Sequence, residues 1–564
     1  MRNMKALMLM GLALAACQTQ KGPGADLVLM NGHIVTMDEG FPEAQAIAVA
    51  GDRILAVGTD TAIESHIGEG TEVVDLEGKT VIPGMIDSHV HFIGLGNRLL
   101  QLDARNVSDQ DEIIERVAEQ AKNLEPGEWI QGRGWDQNRW TVKEFPTKEE
   151  LDAVSPENPV YLRRVDGHAA WVNSRALKIA NINKDTPDPA GGHIIRYASG
   201  EPAGTLIDNA FRLVSQHIPP ISKEQKRRAI GLAIEECLSS GLTSVHEAGG
   251  HREDIELYAK MMEADAFDLR IYEFLRWPTD EQTLPHTYEA LDYYLEKGPQ
   301  IGLHDHRLTI RGIKMSVDDA LGSRGAAFLE PYEDDPDNSR LFRLTEDEVY
   351  ETIRRGVTAG FQVTSHAIGD RANRMVLDAM ERALEQTQAT DARLRIEHAQ
   401  ILHPDDVARF AELGVIPSMQ PTHATTDMHW AATRLGEERM RYAYAWRSLL
   451  DSDIRIAGGS DAPVEPVQPL PGIFAAVTRQ DFEHWPDGGW HPEQRVSREE
   501  ALRMFTLDAA YSVFEEDLKG SLEACKLADM VVLSKDIMTI PAEEILSTEV
   551  LSTYLGGKLV FQRQ

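Results

Sequence analysis

The chain has 564 residues, of which 42% are hydrophobic and 26% are charged, a composition that provides enough apolar sequence for a large buried core. Its formal net charge of −34 excludes nucleic acid and bare anionic membrane surfaces as favourable partners, because both would repel the protein. The length exceeds that of an ordinary single domain and suits a large barrel with additions.

The first 17 residues predict a lipoprotein signal peptide rather than folded structure. Two basic residues precede the apolar run 6–16, which is too short to span a bilayer and ends in the sequence LAAC. This ending resembles the lipobox of bacterial lipoproteins, so we expect Cys17 to be lipidated. The alternative is an ordinary signal peptide that is cleaved before the cysteine. Gln18 is not the aspartate that favours inner-membrane retention, so we expect a periplasm-facing outer-membrane anchor, with the lipid as the only membrane contact.

The two other cysteines, Cys237 and Cys525, lie far apart in the chain and lack the spacing of a metal site. A disulfide between them would fit an oxidising envelope. Two buried free thiols fit the sequence equally well, so both arrangements stay open. The oligomeric state is also open, with a homodimer as one candidate.

Both ends of the chain predict short β-strands. Residues 26–82 contain alternating apolar and polar segments, and residues 516–564 have the same character. Small turn-forming pairs interrupt these segments at Asn31-Gly32, Gly51-Asp52, Glu77-Gly78 and Gly556-Gly557. Such a pattern is typical of successive hairpins. We therefore expect the two ends to build one composite β-sandwich.

The middle of the chain, residues 83–515, alternates short apolar strands with amphipathic helices. Repeated strand–helix units predict a parallel sheet, and about eight of them predict a closed (β/α)8 barrel of the TIM type. The stretch from about 100 to 235 is too long for one such unit, so it predicts an inserted α/β subdomain. The predicted fold class is therefore α/β.

His89 and His91 lie two residues apart on a predicted strand, in the segment VIPGMIDSHVHF. Alternate residues of a strand face the same side, so both imidazoles can point into the barrel and bind one metal ion. The spacing alone is a weak signal. Its place after Pro-Gly and beside Asp87 strengthens the prediction of a metal site.

Further candidates lie near the C-terminal ends of later apolar runs, just before a turn or loop: Lys314, His366, His398 and Asp461. Active sites of TIM barrels are built at that end of the strands. A single histidine of this kind is more simply a hydrogen-bonded structural residue. Four such side chains at successive strand ends favour a shared site.

Lys314 needs a separate argument, because an ammonium group has no lone pair with which to bind a metal. Burial can remove its proton. The neutral amine can then react with carbon dioxide to form a carbamate, whose two oxygens can bind two metal ions. The alternative is an ordinary ion pair between Lys314 and Asp461 or Asp318.

These motifs resemble those of the metal-dependent amidohydrolase superfamily, in particular the amidohydrolase 3 branch, which includes N-substituted formamide deformylases. The resemblance covers nearly the whole mature chain and implies a β-sandwich beside a (β/α)-barrel. Its specific segments are VIPGMIDSHVHF, GRGWDQNRW, FPTKEELDAVSPENPVYLRRVDGHAAWVNSRAL, IKMSVDDALGSRGAAF, SHAIGDRA, RIEHAQ and GGSDAPVEP.

The resemblance implies six metal ligands, which are His89, His91, Lys314, His366, His398 and Asp461. The first two histidines and the aspartate would bind one ion, the other two histidines would bind a second, and the lysine carbamate would bridge both. The implied cofactors are one or two divalent metal ions, with zinc as the expected metal, and carbon dioxide as the carbamate. Many relatives have Asp-Gly where this chain has Asp318-Asp319, a departure expected to change the pocket.

The implied activity is metal-dependent hydrolysis of a non-peptide carbon–nitrogen, amide-type bond in a small molecule, with a hydroxide held by the metals as nucleophile. Asp461 is the expected catalytic residue, accepting the hydroxide proton and passing it to the leaving amine. An ester or lactone hydrolase with the same centre is one alternative. A non-catalytic envelope binding lipoprotein is another, which the complete set of ligand positions disfavours.

The candidate substrate-binding residues are Trp135, Asp136, His168, His246 and Arg324. The first three lie in the predicted insertion, which we expect to cover the barrel mouth. Each has a structural alternative: a tryptophan is more often part of a core, an aspartate before a turn is often a cap, and an arginine can hold a loop.

Overall fold

The computed structural model describes residues 24–105, 107–165, 167–277, 284–339 and 342–564. The predicted signal peptide and Cys17 lie outside these ranges. The described residues divide into two compact units, one formed by 24–92 together with those of Ile234–Gln564 and the other by those of Ile93–Ala233. Within the described ranges, no helix combines the length and the apolar character needed to cross a membrane.

The described strands, numbered in chain order, are β1 Leu27–Met30, β2 His33–Val35, β3 Glu43–Ala44, β4 Ala46–Ala50, β5 Arg53–Gly58, β6 Glu72–Asp75, β7 Thr80–Pro83, β8 Met85–Val90, β9 Leu102–Asp103, β10 Ile130–Trp135, β11 Val160–Arg164, β12 Ala169–Val172, β13 Gly192–Arg196, β14 Pro202–Asp208, β15 Leu242–Gly250, β16 Arg270–Arg276, β17 Gln300–Gly302, β18 Leu308–Ser316, β19 Gln362–Ala367, β20 Arg395–His398, β21 Ile416–Met419, β22 Ala457–Gly458, β23 Met530–Leu533, β24 Val550–Leu555 and β25 Lys558–Gln562.

The described α-helices are α1 Asp60–Ile63, α2 Phe92–Leu99, α3 Gln110–Ala121, α4 Lys148–Val154, α5 Ser174–Ile179, α6 Arg212–Ser215, α7 Lys223–Ser239, α8 Arg252–Glu263, α9 Leu284–Lys297, α10 Leu303–His306, α11 Glu346–Thr358, α12 Asp370–Thr387, α13 Pro404–Leu413, α14 Pro421–Asp427, α15 Ala431–Met440, α16 Trp446–Leu450, α17 Pro469–Thr478, α18 Arg498–Met504 and α19 Leu507–Ser512.

The chain ends form two sheets, with strand orders β5-β4-β1-β6 and β25-β24-β23-β7-β2-β3. Strand β7 pairs with β2 on one side and with β23 on the other, so the C-terminal strands extend a sheet that the N-terminal segment begins. One buried apolar cluster contains side chains from both sheets, including Leu29 and Ile47 from the first and Val81 and Met530 from the second. The two ends of the chain therefore share a core.

The prediction of a hairpin is wrong at two of the four turns, because the strands that flank each of these turns do not pair with each other. Strands β1 and β2, on either side of Asn31-Gly32, belong to different sheets, as do β6 and β7 on either side of Glu77-Gly78. Asn31 and Glu77 adopt positive φ angles of 56° and 50°, which redirect the chain from one sheet to the other. The turns at 51–52 and 556–557 do join paired strands, β4 with β5 and β24 with β25.

The larger unit also contains eight parallel strands in the order β22-β21-β20-β19-β18-β16-β15-β8. This sheet is nearly closed: a parallel bridge joins Val90, at the end of β8, to Ala462, just after β22. Gly459 permits the approach, because a Cβ atom there would lie 2.7 Å from the backbone nitrogen of His89. The predicted mixed α/β fold with a parallel eight-stranded barrel sheet is confirmed.

Local sequence signals explain several helix boundaries in this unit. Thr345 caps α11 and Ser497 caps α18, each in a capping box in which the third helical residue, Glu348 or Glu500, returns a hydrogen bond to the cap. Gly414 ends α13 in the left-handed conformation. These short-range signals set where helices begin and end independently of the site.

The smaller unit contains its own six-stranded mixed sheet, in the order β13-β14-β12-β11-β10-β9. Trp135, Trp140 and Trp171 contact one another in its core, with ring centroids 6.0–6.5 Å apart. Cys237, near the end of α7, belongs to the larger unit and is a buried free thiol, so it does not pair with Cys525.

A buried ion pair links the barrel to the sheets formed by the chain ends. Arg270 of β16 donates from Nε and Nη2 to the carboxylate of Asp529 at 2.7 and 2.8 Å, and their side chains are only 5% and 4% exposed. Asp529 also accepts a hydrogen bond from the backbone of Gly556. Burial alone would raise the pKa of Asp529, but the charge and hydrogen bonds of Arg270 outweigh it and hold that pKa below its usual range.

We expect Asp529→Asn to lower the free energy of unfolding by about 3–5 kcal/mol near neutral pH, because it leaves the Arg270 charge buried without its partner. A carboxylate whose pKa is lower in the folded state than in the unfolded state stabilises the fold fully at pH values above its unfolded-state pKa of about 3.9. This stabilisation is lost as the pH falls through its folded-state pKa. Urea unfolding should therefore give a difference in the free energy of unfolding between wild type and variant that is constant above about pH 5 and becomes smaller below about pH 4. A difference in the free energy of unfolding that is the same at every pH would contradict this account.

Candidate metal centre

The polar side chains predicted at the barrel strand ends come together at one end of the barrel sheet. His89 lies in β8 and His91 directly follows it, while Lys314, His366 and His398 lie in β18, β19 and β20. Asp461 follows β22 by three residues. Parallel strands place their carboxyl ends on one side of a barrel, so residues separated by almost 400 positions can share one site.

The Asp461 carboxylate lies close to the side chains of His89 and His91, two of the predicted ligands. Its Oδ1 lies 3.5 Å from Nε2 of His89 and 3.3 Å from Nε2 of His91, and one ligand atom from each residue lies within 4.8 Å of the others. Asp461 has a positive φ of 59°, and its backbone N–H donates to the carbonyl of His89 at 2.7 Å. The His91 side chain is 44% exposed, so this group opens to solvent on that side.

A second group of three residues that could hold a metal ion shares the same aspartate. It consists of His398, His423 and Asp461, again with ligand atoms within 4.8 Å of one another. Nε2 of His423 lies 3.7 Å from Oδ2 of Asp461. The His398 and His423 rings are stacked, with centroids 5.8 Å apart and an interplanar angle of 17°.

Sequence reasoning missed His423, although a usable signal was present. It occurs in the segment QPTHAT, immediately after the apolar run that forms β21, and so also follows the C-terminal end of a barrel strand. His366 lies on the other side of His398, with ring centroids 4.5 Å apart.

Neighbouring acceptors fix which nitrogen of two histidines faces the centre. Nδ1 of His89 donates to the Glu397 carboxylate at 2.5 Å, and Nδ1 of His398 donates to Oε1 of Gln420 at 2.7 Å. Because Nδ1 carries the proton in each ring, Nε2 keeps a lone pair. Carboxylate and amide acceptors behind the ring are typical of histidines that bind metals.

The centre has buried nitrogens that the protein itself does not satisfy. Nε2 of His89, His366 and His423 is buried and has no hydrogen-bond partner within the described part of the chain. Unpaired buried polar atoms are costly, and a divalent metal ion would satisfy the two that approach the Asp461 carboxylate, Nε2 of His89 at 3.5 Å and Nε2 of His423 at 3.7 Å. The residues present therefore fit a metal ion.

Electrostatics keep the histidines ready to bind metal and the aspartate ionised. Burial and the nearby charge of Lys314 lower the pKa of His89 to about 3, against the opposing effect of Glu397, and burial likewise lowers the pKa of His366 and His398. Burial alone would raise the pKa of Asp461, but the hydrogen bond of His91 and the neighbouring imidazoles hold it below its usual range. Neutral imidazoles and a carboxylate are the forms that bind metals.

Lys314 is buried, with 6% of its surface exposed, and burial lowers its pKa. Among the described residues, Lys314 lies within ion-pair distance of neither Asp461 nor Asp318, although the charges of Glu397 and Asp461 oppose the effect of burial on its pKa. Asp318 instead accepts hydrogen bonds from the backbone N–H groups of Ala327, Ile368 and Gly369. A buried lysine whose pKa is lowered by burial suits the carbamate chemistry that the resemblance implies.

A buried ion pair between Arg395 and Glu397 lies behind His89. Arg395 is completely buried and donates to both carboxylate oxygens of Glu397 at 3.0 and 3.1 Å, while the same carboxylate accepts from His89. Arg395 also donates to the carbonyl of Ser88 and to the hydroxyl of Ser418, which binds it to two more barrel strands. Glu397 is thereby fixed behind His89.

A cavity of about 410 Å³ lies beside the centre. Its wall includes Asp318, whose Oδ1 is 3.6 Å from Nε2 of His366, and Asp319, at the position where the resemblance implied a glycine. The remaining lining residues are Gly325, Asp337, Asn338, Ser339 and Arg343. Both Asp318 and Asp319 thus line this cavity.

The sequence model of the protein family Amidohydro_3, whose description is amidohydrolase family, matches residues 72–561 of the chain. The chain belongs to the amidohydrolase family. Over 554 residues it is 38% identical to the protein Long After Far-Red 3 of Arabidopsis thaliana, covering 95% of this chain and 92% of the relative. It is 29% identical over 556 residues to the N-substituted formamide deformylase of Arthrobacter pascens, covering 95% and 98%.

Solved structures agree with this assignment. A metal-dependent hydrolase of uncharacterised function from Pyrococcus furiosus is 30% identical, with a TM-score of 0.72 and coverage of 91% of this chain and 100% of that one. The zinc complex of the atrazine chlorohydrolase TrzN from Arthrobacter aurescens has a TM-score of 0.52 over 95% of each chain at 14% identity, so it shares the fold. This amidohydrolase is accordingly a metal-dependent hydrolase, and the neighbours and the clustered candidate residues support a divalent metal ion.

Three of the predicted substrate residues of this amidohydrolase lie in the smaller unit. Trp135 is completely buried in the tryptophan core, where its Nε1 donates to the carbonyl of Leu162. Asp136 caps a short 3-10 helix and pairs with Arg164. His168 is largely exposed and pairs with Asp208 at 2.8 Å. Trp135 and Asp136 thus have the contacts of core and capping residues.

The other two predicted substrate residues lie in the larger unit. His246 is completely buried inside the barrel, where Nδ1 accepts a hydrogen bond from Arg395 at 3.2 Å, so it does not face an open pocket. Arg324 donates to both oxygens of the Asp334 carboxylate at 3.1 and 2.9 Å. The contacts of Arg324 are those of a residue that holds the loop after β18.

Proposed function

We propose that this amidohydrolase cleaves a non-peptide carbon–nitrogen bond in a small N-acyl or N-formyl compound, using zinc. The observation that carries the metal assignment is the convergence of two groups of histidines on Asp461, in which the buried Nε2 atoms of His89 and His423 have no hydrogen-bond partner among the described residues. The similarity to an N-substituted formamide deformylase over almost the whole chain supports an amide-type bond. The net charge of −34 and the narrow cluster of histidines favour a small-molecule substrate over a polyanionic partner.

The residues of the centre have distinct tasks in this proposal. His89, His91 and Asp461 would hold one ion, while His366, His398 and the carbamate of Lys314 would hold a second. Bound metal ions activate water near neutral pH and polarise a carbonyl group. The carboxylate of Asp461, kept ionised by its surroundings, would take up the proton of the attacking water and return it to the leaving amine as the carbon–nitrogen bond breaks.

Metal content and intact mass of the purified protein test this proposal. We expect about two zinc ions per chain, a mass increase of one carbon dioxide, and hydrolysis of N-formyl or N-acyl amines that chelation removes and Zn²⁺ restores. Lys314→Arg keeps the positive charge but cannot form the carbamate, so it should lose the mass increase and one ion. A protein that binds no metal after reconstitution, or that hydrolyses matched esters but no amide, would contradict the proposal.

We propose further that the two sheets of the chain ends are the β-sandwich of this family and that the unit Ile93–Ala233 is a subdomain inserted into the barrel. The shared apolar core of the two sheets supports the first statement. The separate six-stranded sheet and core of the smaller unit support the second.

The proposed location is the periplasmic face of the outer membrane, through a lipid on Cys17. The LAAC sequence after a short apolar run supports it. We expect Cys17→Ser, expressed in a Gram-negative host, to move the protein from the membrane fraction to the soluble fraction while its specific activity stays unchanged. A variant that still sediments with the membranes would show that another feature holds the protein there.

A further inference from the structure

His423 is a buried histidine that the six implied ligands do not include. Its side chain is 12% exposed, and its Nε2 is buried with no hydrogen-bond partner within the described ranges. The atom lies 3.7 Å from Oδ2 of Asp461. An imidazole held in this way is unfavourable unless something at the centre interacts with its nitrogen.

The carboxylate of Asp461 divides its oxygens between two groups of histidines. Oδ1 faces His89 and His91, whereas Oδ2 faces His423. Each oxygen thus completes a group of three nitrogen and oxygen ligands, the usual protein complement of a zinc ion that keeps one position open. A carboxylate with one oxygen in each group can bridge two ions.

One short segment positions both histidines of the second group. The backbone N–H of His423 donates to the carbonyl of Gln420, at the start of α14. The Gln420 side chain accepts from Nδ1 of His398, and its own amide nitrogen donates to the carbonyl of Ser418, which fixes its orientation. This arrangement aligns the His398 and His423 rings and keeps Nε2 of His398 free of a proton.

We propose that His423 is a further metal ligand of this centre, which would bind the second ion together with His398 and Asp461, in addition to the ligands of the implied set. This inference rests on the proposed function, since it concerns the same centre. His366 also contacts His398, with ring centroids 4.5 Å apart, while the Asp318 carboxylate 3.6 Å from its Nε2 accepts hydrogen bonds from three backbone amides. The described geometry thus provides the second ion with a ligand outside the implied set.

Metal titration of variants tests this assignment without depending on turnover. His423→Ala should bind the second equivalent of Zn²⁺ at least about 100-fold more weakly than wild type, whereas affinity for the first equivalent should change little. His429→Ala is the matched control, because His429 lies in the next part of the same segment and stacks on Trp485 with a half-exposed side chain. It should bind both equivalents as wild type does.

His423→Cys gives a positive signal that a merely structural histidine would not produce. A thiolate at this position should bind Co²⁺ in the reconstituted protein and add a thiolate-to-cobalt charge-transfer band in the near ultraviolet, which His429→Cys should lack. Two ions bound with wild-type affinity by His423→Ala, or no new band in His423→Cys, would overturn the assignment of His423 alone. Wild-type protein that binds no metal would instead overturn the proposed function itself.

Discussion

Asp461→Asn is expected to lower kcat/KM by roughly 1000-fold or more while leaving the fold intact. The substitution removes the negative charge that lies between the His89, His91 and His423 nitrogens, and it removes the proton acceptor of the proposed reaction. It preserves the size of the side chain, and the backbone hydrogen bond from residue 461 to the carbonyl of His89 does not depend on the side chain. Steady-state kinetics together with metal content per chain measure the effect.

The control for Asp461→Asn is Asp517→Asn, which removes an equal charge from an exposed position in the same unit. Its kinetics and metal content should match those of wild type. Near wild-type turnover by Asp461→Asn would exclude Asp461 as the proton-transferring residue. Loss of turnover with both metal ions retained would assign it to proton transfer rather than to metal binding.

Arg395→Met is expected to lower the free energy of unfolding by about 3–5 kcal/mol, measured by urea titration of the metal-free protein. The variant leaves the Glu397 carboxylate buried without the guanidinium that binds both of its oxygens. It also removes the hydrogen bonds of Arg395 to Ser88 and Ser418, which belong to two other strands. The large expected effect follows from burial, since neither Arg395 nor Glu397 has more than 1% of its side chain exposed.

The same variant should weaken metal binding by about 10- to 100-fold, because Glu397 orients His89 through Nδ1. The matched control is Arg354→Met, which breaks an exposed pair with Glu351 on one face of α11 and should leave stability and metal affinity unchanged. Equal stabilities of the Arg395 and Arg354 variants would show that the Arg395–Glu397 pair contributes nothing measurable to the fold. Loss of stability without loss of metal affinity would show that His89 is oriented without Glu397.

The candidate ligand residues could be identified from the sequence because their signals are local. The spacing of His89 and His91 places both on one side of a strand whatever lies around it. His366, His398 and Asp461 each follow or end an apolar run, and the C-terminal ends of parallel strands meet on one side of a barrel. Periodicity and strand ends therefore sufficed to predict the barrel sheet and most of the centre.

Strand pairing at the chain ends shows where such local reasoning fails. The turns at Asn31-Gly32 and Glu77-Gly78 have the residues of hairpin turns, yet each carries the chain between sheets. A turn sequence permits a reversal of direction but does not choose the partner strand. That choice depends on which arrangement buries residues such as Leu29 and Val81 in one core, which is a long-range property.

The sequence by itself determined the barrel class and the residue types of the metal centre, because hydrophobic periodicity and strand-end positions are encoded within a few residues. Only the tertiary structure decided which side chains converge. It buried Trp135 and His246 in cores and placed His423 beside the second oxygen of Asp461. The physical reason is that burial and atomic separation depend on packing between segments far apart in the chain, which no local pattern specifies.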